Sequence, residues 1–170
     1  MKKYVIPLLA ILVACSCQQK KEKQAQQTEE KQEPVIEKKI EYAHTEAGNP
    51  IVLMQTSMGD IEIEVFENEA PIHAKNFLKL VENEYYNGLI FHRVAKGFVI
   101  QGGDPTGTGT GGPGYVLEQE QKPFKYQNKR SYVAMARSQL GANGSQFYIL
   151  VTDAKHLDND FPCFARVIKG

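Results

Sequence analysis

The 170-residue sequence carries 20 basic and 20 acidic residues, three cysteines and no tryptophan. That length suits one domain with a hydrophobic core. Balanced charge without a basic stripe argues against nucleic acid as a partner, and three cysteines define no disulfide framework.

The chain opens with MKKYVIPLLAILVACSC. Lys2 and Lys3 form a positive start, and the apolar run Tyr4 to Ala14 is too short to span a bilayer, so residues 1–14 read as a signal peptide. Leu12-Val13-Ala14-Cys15 resembles a bacterial lipobox, which makes Cys15 the lipidation site and the membrane a partner through the lipid. The alternative is an ordinary signal peptide with an incidental Cys15. Residues 18–41 are nearly all Lys, Glu and Gln, too polar to form a core. Residues 15–50 therefore read as a charged tether, with a short charged helix as the competing possibility.

The globular part is read as 51–170. In IVLMQTSMGDIEIEVF, Ile61, Ile63 and Val65 alternate with Glu62 and Glu64, and Gly59-Asp60 reads as the turn of a hairpin. EAPIHAKNFLKLVENEYYNG reads as a helix, with Pro71 in its first turn, Ala74, Phe77, Leu78 and Val81 on one face, and Asn87-Gly88 at its end. Short strands are expected at 89–94, 98–101, 132–136, 146–151 and 163–168. This pattern predicts a mostly β, antiparallel barrel or sandwich with one helix, not βαβ units.

Several motifs carry no chemistry. GTGTGG (107–112) matches a dinucleotide pattern, but Pro113-Gly114 is a poor helix start and no acid follows at the required spacing, so it reads as a flexible glycine loop. Asn143-Gly144-Ser145 reads as a tight turn. His44, His73, His92 and His156 show no ligand spacing, so no metal site is expected, and no cofactor is implied. No nucleophile elbow is present. Cys17 and Cys163 are assigned no chemistry.

Taken together, FHRVAKGFVIQGGD, GTGTGGPGY, AMARS and NGSQFYI resemble the cyclophilin family of peptidyl-prolyl cis–trans isomerases, from about Ile51 to Gly170. The resemblance implies an antiparallel β-barrel capped by helices, with an active groove on its outside. It also implies a further helix and a barrel-closing strand that this sequence, ending at Gly170, does not contain. Arg93 matches the catalytic arginine, with Gln101 orienting it or the substrate carbonyl. Phe98 and Val99 match groove residues, and Met135, Ala136 and Arg137 match the stretch that pairs with the substrate backbone. Gln146, Tyr148, Leu157 and Phe161 match the groove wall and proline pocket. Taken singly, Arg93 reads as a surface strand residue and Phe98 and Val99 as core; the joint pattern reverses this. Strict alternation puts Val99 and Gln101 on one face and Phe98 on the other, so a groove role for Phe98 requires a bend near Gly97.

The implied substrates are proline-containing polypeptides, and the implied role is protein folding at a bacterial cell envelope by a lipid-anchored monomer. A different class remains open: a catalytically weak proline-peptide-binding module or chaperone using the same groove. Tyr148 stands where the family usually has phenylalanine, Phe161 where many members have histidine, and His156 where many carry a cyclosporin-contacting tryptophan, which implies weak cyclosporin binding.

Overall fold

The computed structural model describes residues 42–138 and 141–170. The expected leader, Cys15, Cys17 and most of the charged tether lie outside them. The described chain forms β1 (Ala43–His44), β2 (Pro50–Thr56), β3 (Gly59–Val65), α1 (Pro71–Glu82), β4 (Arg93–Ala95), β5 (Val99–Gly102), β6 (Val116–Leu117), β7 (Tyr132–Ser138), β8 (Gly141–Leu150), a 3₁₀ turn (Lys155–Leu157) and β9 (Cys163–Lys169). The strands form one sheet in the order β1-β2-β3-β9-β7-β8-β5-β4, with β6 attached to β8. Each pair is antiparallel. The mostly β, antiparallel class read from the sequence is the class observed.

One face of the sheet builds a core with the helix because large apolar residues recur on alternate positions. Val52, Ile63, Val65, Val133, Met135, Phe147, Ile149 and Phe164 point inward and meet Ala74, Phe77 and Leu78 of α1. Phe77 stands edge-on to Phe147 at 5.5 Å and packs on Phe164 at 5.2 Å. Burial of each such ring is worth about 2–3 kcal/mol, so α1 is held by its apolar face. Its N-terminus lacks a local cap, since Ala70 offers no side-chain acceptor. Glu120, distant in sequence, supplies one: its Oε1 accepts the His73 N–H at 2.7 Å.

Four details differ from expectation. The fold begins before Ile51: β1 pairs with β2, and Glu64 Oε1 accepts the Asn49 side-chain amide at 2.8 Å and the Thr45 hydroxyl at 3.3 Å. Glu64 Oε2 meets Arg166 Nε at 2.6 Å, so residues 42–50 are tied to β3 and β9. The β2–β3 turn is Ser57-Met58, because Gly59 already pairs with Thr56. Helix α1 ends at Glu82, not at Asn87-Gly88; Glu84 takes φ 57°, and the turns that follow let Tyr85 and Tyr86 hydrogen-bond Ser145. Asn143-Gly144-Ser145 lies inside β8 rather than in a turn. Among the described residues no helix is long and apolar enough to cross a membrane.

Candidate active site

Cross-strand register builds the site. Arg93 lies opposite Gln101, Gln101 opposite Tyr148, Tyr148 opposite Ala134, and Ala134 opposite Cys163. Directly opposed residues share a face, so this row runs across five strands on the side of the sheet away from the α1 core. Arg93 occupies the edge strand β4 and is exposed, which removes the desolvation cost that a charge would meet in a sealed interior.

A hydrogen-bonded relay starts at this arginine. Arg93 Nη1 donates to Gln101 Oε1 at 3.1 Å, and Gln101 Nε2 donates to Gln146 Oε1 at 2.9 Å. Gln146 Nε2 then donates to the carbonyls of Gly109 at 3.1 Å and Gly111 at 2.7 Å. Each glutamine acts as acceptor on one side and donor on the other, so the guanidinium is aimed by a chain that ends in the glycine-rich loop.

That loop is organised, contrary to the flexible loop expected. Asp104 Oδ1 accepts from the Thr106 N–H at 2.7 Å and its hydroxyl at 2.8 Å, and Oδ2 accepts from the N–H groups of Gly109 at 2.6 Å and Gly111 at 3.1 Å. Burial opposes the Asp104 charge, but the donations from Thr106, Gly111 and Gly109 outweigh it and hold the carboxyl down at about 2. Asn143 Oδ1 accepts the backbone N–H groups of Ser145 and Gln146, each at 2.9 Å, which seats Gln146. Gly103 must be glycine: a Cβ there would collide with the Ser145 carbonyl.

Beside the relay lies a second apolar cluster. Val99, Ala136 and Tyr148 cluster with Leu150 and Cys163, flanked by Phe98, Leu157 and Phe161. The bend required for Phe98 exists: Gly97 has φ +71°, and Phe98 N–H closes a turn on the Ala95 carbonyl at 3.0 Å, bringing its ring to the side of Val99. Phe98 stacks with His156 at 5.8 Å, and Phe161 meets Tyr148 edge-on at 6.2 Å. Asn128 braces the far wall, donating its side-chain amide to the Phe161 carbonyl at 2.9 Å and its N–H to Asp158 Oδ1 at 2.6 Å. The Tyr148 hydroxyl is buried without a hydrogen-bond partner among the described residues, and burial pushes its phenol well up. Burial, with the Asp158 charge, also pushes the Cys163 thiol up to about 12, which leaves it inert.

Strand β7 completes the arrangement. Its pairing with β9 covers Tyr132, Val133 and Ala134, so from Met135 onward its outer edge has no strand partner among the described residues. A register shift between Met135 and Arg137 leaves Ala136 unmatched on the β8 side as well. Arg137 lies on this edge, its guanidinium 4.9 Å over the Phe161 ring and its Nη2 donating to the Asp160 carbonyl at 2.9 Å.

The structure thus gathers Arg93, Gln101 and Gln146 in one relay, Phe98, Val99, Ala136, Tyr148, Leu157 and Phe161 in one apolar cluster, and Arg137 against its Phe161. Met135 joins neither group through its side chain. Its side chain is 2 % exposed and packs against Phe147 and Val133 in the α1 core, since period-two alternation turns it away from Ala134 and Ala136. It reaches the open edge only through its main chain. Asp104, Asn143 and Asn128 were not anticipated as parts of the site; an Asp followed two residues on by Thr, as in Asp104–Thr106, is the turn signal that pointed to the first.

Comparison with known proteins agrees with this geometry. Residues 51–170 match the family model for cyclophilin type peptidyl-prolyl cis-trans isomerase/CLD. The human peptidyl-prolyl cis-trans isomerase-like 3 is 46 % identical over 122 residues, spanning 70 % of this chain and 76 % of that protein. A Helicobacter pylori peptidyl-prolyl cis-trans isomerase is 41 % identical over 114 residues, spanning 67 % and 70 %. The crystal structure of a Cryptosporidium parvum cyclophilin type isomerase, determined in the presence of the dipeptide Ala-Pro, superposes with a TM-score of 0.63 at 36 % identity, over 71 % of this chain and 79 % of that one. The chain belongs to the cyclophilin-type peptidyl-prolyl cis–trans isomerase family, and its activity is rotation about Xaa-Pro peptide bonds.

Proposed function

We propose that this isomerase receives the prolyl ring of an extended polypeptide in the pocket of Val99, Phe98, Tyr148 and Phe161, with the substrate main chain lying along the open edge of β7 at Ala136. The observation that carries this reading is the shared row of Arg93, Gln101 and Tyr148, which puts an aimed donor beside an apolar pocket.

The reaction needs no nucleophile. The barrier to rotation, about 18–20 kcal/mol, arises from amide resonance. As the bond twists, the lone pair returns to the prolyl nitrogen, and Arg93 donates to it there. One well-aimed donor is worth about 3 kcal/mol, whereas an acceleration of about 10⁵ needs roughly 7 kcal/mol. The remainder comes from holding the ring dry and the main chain in a twisted geometry. Titrating a proline-containing peptide into isotope-labelled protein should shift the amides of β5, β8 and the 155–161 turn while accelerating exchange in the peptide. Shifts confined to α1 would contradict the groove assignment.

The same reading places the enzyme at a bacterial cell envelope, as a monomer tethered by lipid on Cys15 and assisting the folding of envelope proteins. Its support is the lipobox-like Leu12-Val13-Ala14-Cys15 and the charged segment after it. Labelled fatty acid should enter the full chain and partition it with membranes, and Cys15→Ser should abolish both; unlabelled protein in the soluble fraction would overturn the assignment.

A further inference from the structure

Arg137 is a cation without an anion among the described residues. Its guanidinium has five N–H donors, of which the structure occupies one, on the Asp160 carbonyl; the rest of the group lies over the Phe161 ring. The ion pairs among the described residues are Lys125–Glu69, Arg166–Glu64 and Lys169–Glu62, so no described carboxylate lies within ion-pair distance of Arg137. The nearby acids are otherwise placed. Asp158 is used by Asn128, and Asp160, exposed on the same turn, offers Arg137 its main chain rather than its carboxylate. Arg166 shows the contrast: on neighbouring β9, it is held at 2.6 Å by Glu64.

The position of this unpaired charge matters because of what passes it. The proposed seat of the prolyl ring against Tyr148 and Phe161 sets Arg137, which lies over the Phe161 ring, beside the residues that flank proline. We propose that Arg137 is a specificity residue, which makes the enzyme favour prolyl substrates whose residue immediately before proline carries a carboxylate. The proposal rests on the isomerase reading above. A glutamate at that position meets the free donors of a planar guanidinium in its preferred bidentate geometry. A lysine there faces like charge. The phenylalanine ring under Arg137 restrains the guanidinium, so less side-chain freedom is lost when the carboxylate arrives.

The test uses the full chain and exchange NMR on three matched peptides, Ala-Glu-Pro-Phe, Ala-Gln-Pro-Phe and Ala-Lys-Pro-Phe. In the wild type, kcat/KM should fall in that order, with roughly tenfold between the Glu and Lys peptides at low ionic strength and less than half of that ratio left at high salt, as expected for a partly screened pair. Arg137→Gln should bring the Glu-to-Lys ratio to about one whatever its absolute rate, Arg137→Lys should keep part of the preference, and Arg137→Glu should invert the order. Equal turnover of all three peptides by the wild type would overturn the preference while leaving the isomerase intact, as would a ratio unchanged in Arg137→Gln. Absence of acceleration for every peptide would overturn the isomerase reading itself, and the preference with it.

Discussion

Gln101 and Gln146, 45 residues apart in sequence, share a hydrogen bond of 2.9 Å in which Gln101 is the donor and Gln146 the acceptor. The direction matters, because it leaves the Gln101 oxygen free to accept from Arg93 and the Gln146 amide free to donate to the carbonyls of Gly109 and Gly111. A single arginine orientation is thereby linked to the shape of a loop that never touches it.

Breaking this link should slow the chemistry more than it weakens binding. Gln146→Leu keeps the size of the side chain and removes both ends of its relay, so Arg93 loses its fixed aim. The expected result is a fall in kcat of roughly tenfold with KM for a short prolyl peptide changed less than about twofold. A rise in KM at constant kcat would assign Gln146 to binding alone.

Asp104 is the anchor of the same loop. Its carboxyl is held at about 2 in the folded protein, below its usual value near 3.9. The stabilisation it contributes is therefore complete above about pH 4 and lost as the pH falls toward 2, and is worth about 2 kcal/mol. Hydrogen exchange at the Gly109 and Gly111 amides should show protection that fades across that window. Asp104→Asn should remove most of the protection at all pH values; full protection in the variant would show that the loop is held by other contacts.

His73 makes a second, separate acid sensitivity. It is 1 % exposed, and burial pulls its pKa down to about 4 against the opposing bond to the Glu118 carbonyl. The sign follows: stability due to neutral His73 is full above about pH 6.5 and is lost as the pH falls toward 4, a change of about 3 kcal/mol. Glu120, whose carboxyl burial raises, works in the opposite direction at the low end of that range. Denaturant melts at pH 7 and pH 4.5 should therefore be compared with those of His73→Gln, which can still donate to Glu118. The variant should lose less stability on acidification; an identical loss would place the sensitivity elsewhere.

The buried hydroxyl of Tyr148 has no partner among the described residues, and an unsatisfied buried group costs about 1–3 kcal/mol. Tyr148→Phe should raise the thermal midpoint, by about 1 kcal/mol in unfolding free energy, and leave turnover of an Ala-Pro peptide undiminished. A lower midpoint would mean that the hydroxyl is satisfied in solution.

Much of this was legible in the sequence, because alternation is a local property. Ile61, Ile63 and Val65 announced β3, and Gln146 and Tyr148, two apart on β8, announced a shared face. Met135 could have been read the same way: Val133 and Met135 are bulky and lie on one parity, while Ala134 and Ala136 are small and lie on the other, as a strand between a core and a groove requires. Other features depend on partners distant in the chain. Helix α1 stops at Glu82, several residues before Asn87-Gly88, and the turns in between let Tyr85 and Tyr86 reach Ser145, a partner about 60 residues away. The role of Glu120 as the cap of α1, and of Glu64 as the bond between residues 45–49 and Arg166, cannot be seen in either local segment. The glycine loop looked unstructured because much of its order comes from the Asp104 carboxylate before it and from the Gln146 amide on a distant strand.

The most direct test of the account is the cis–trans exchange rate of an Ala-Pro peptide in the presence of the full chain and of Arg93→Ala. Arg93 is exposed on an edge strand, so the variant should keep its fold, as dispersed amide signals would report. The account predicts rapid exchange with the wild type and a fall in kcat/KM of about 10²–10³ in the variant. A folded Arg93→Ala protein that isomerises the peptide as fast as the wild type would contradict it.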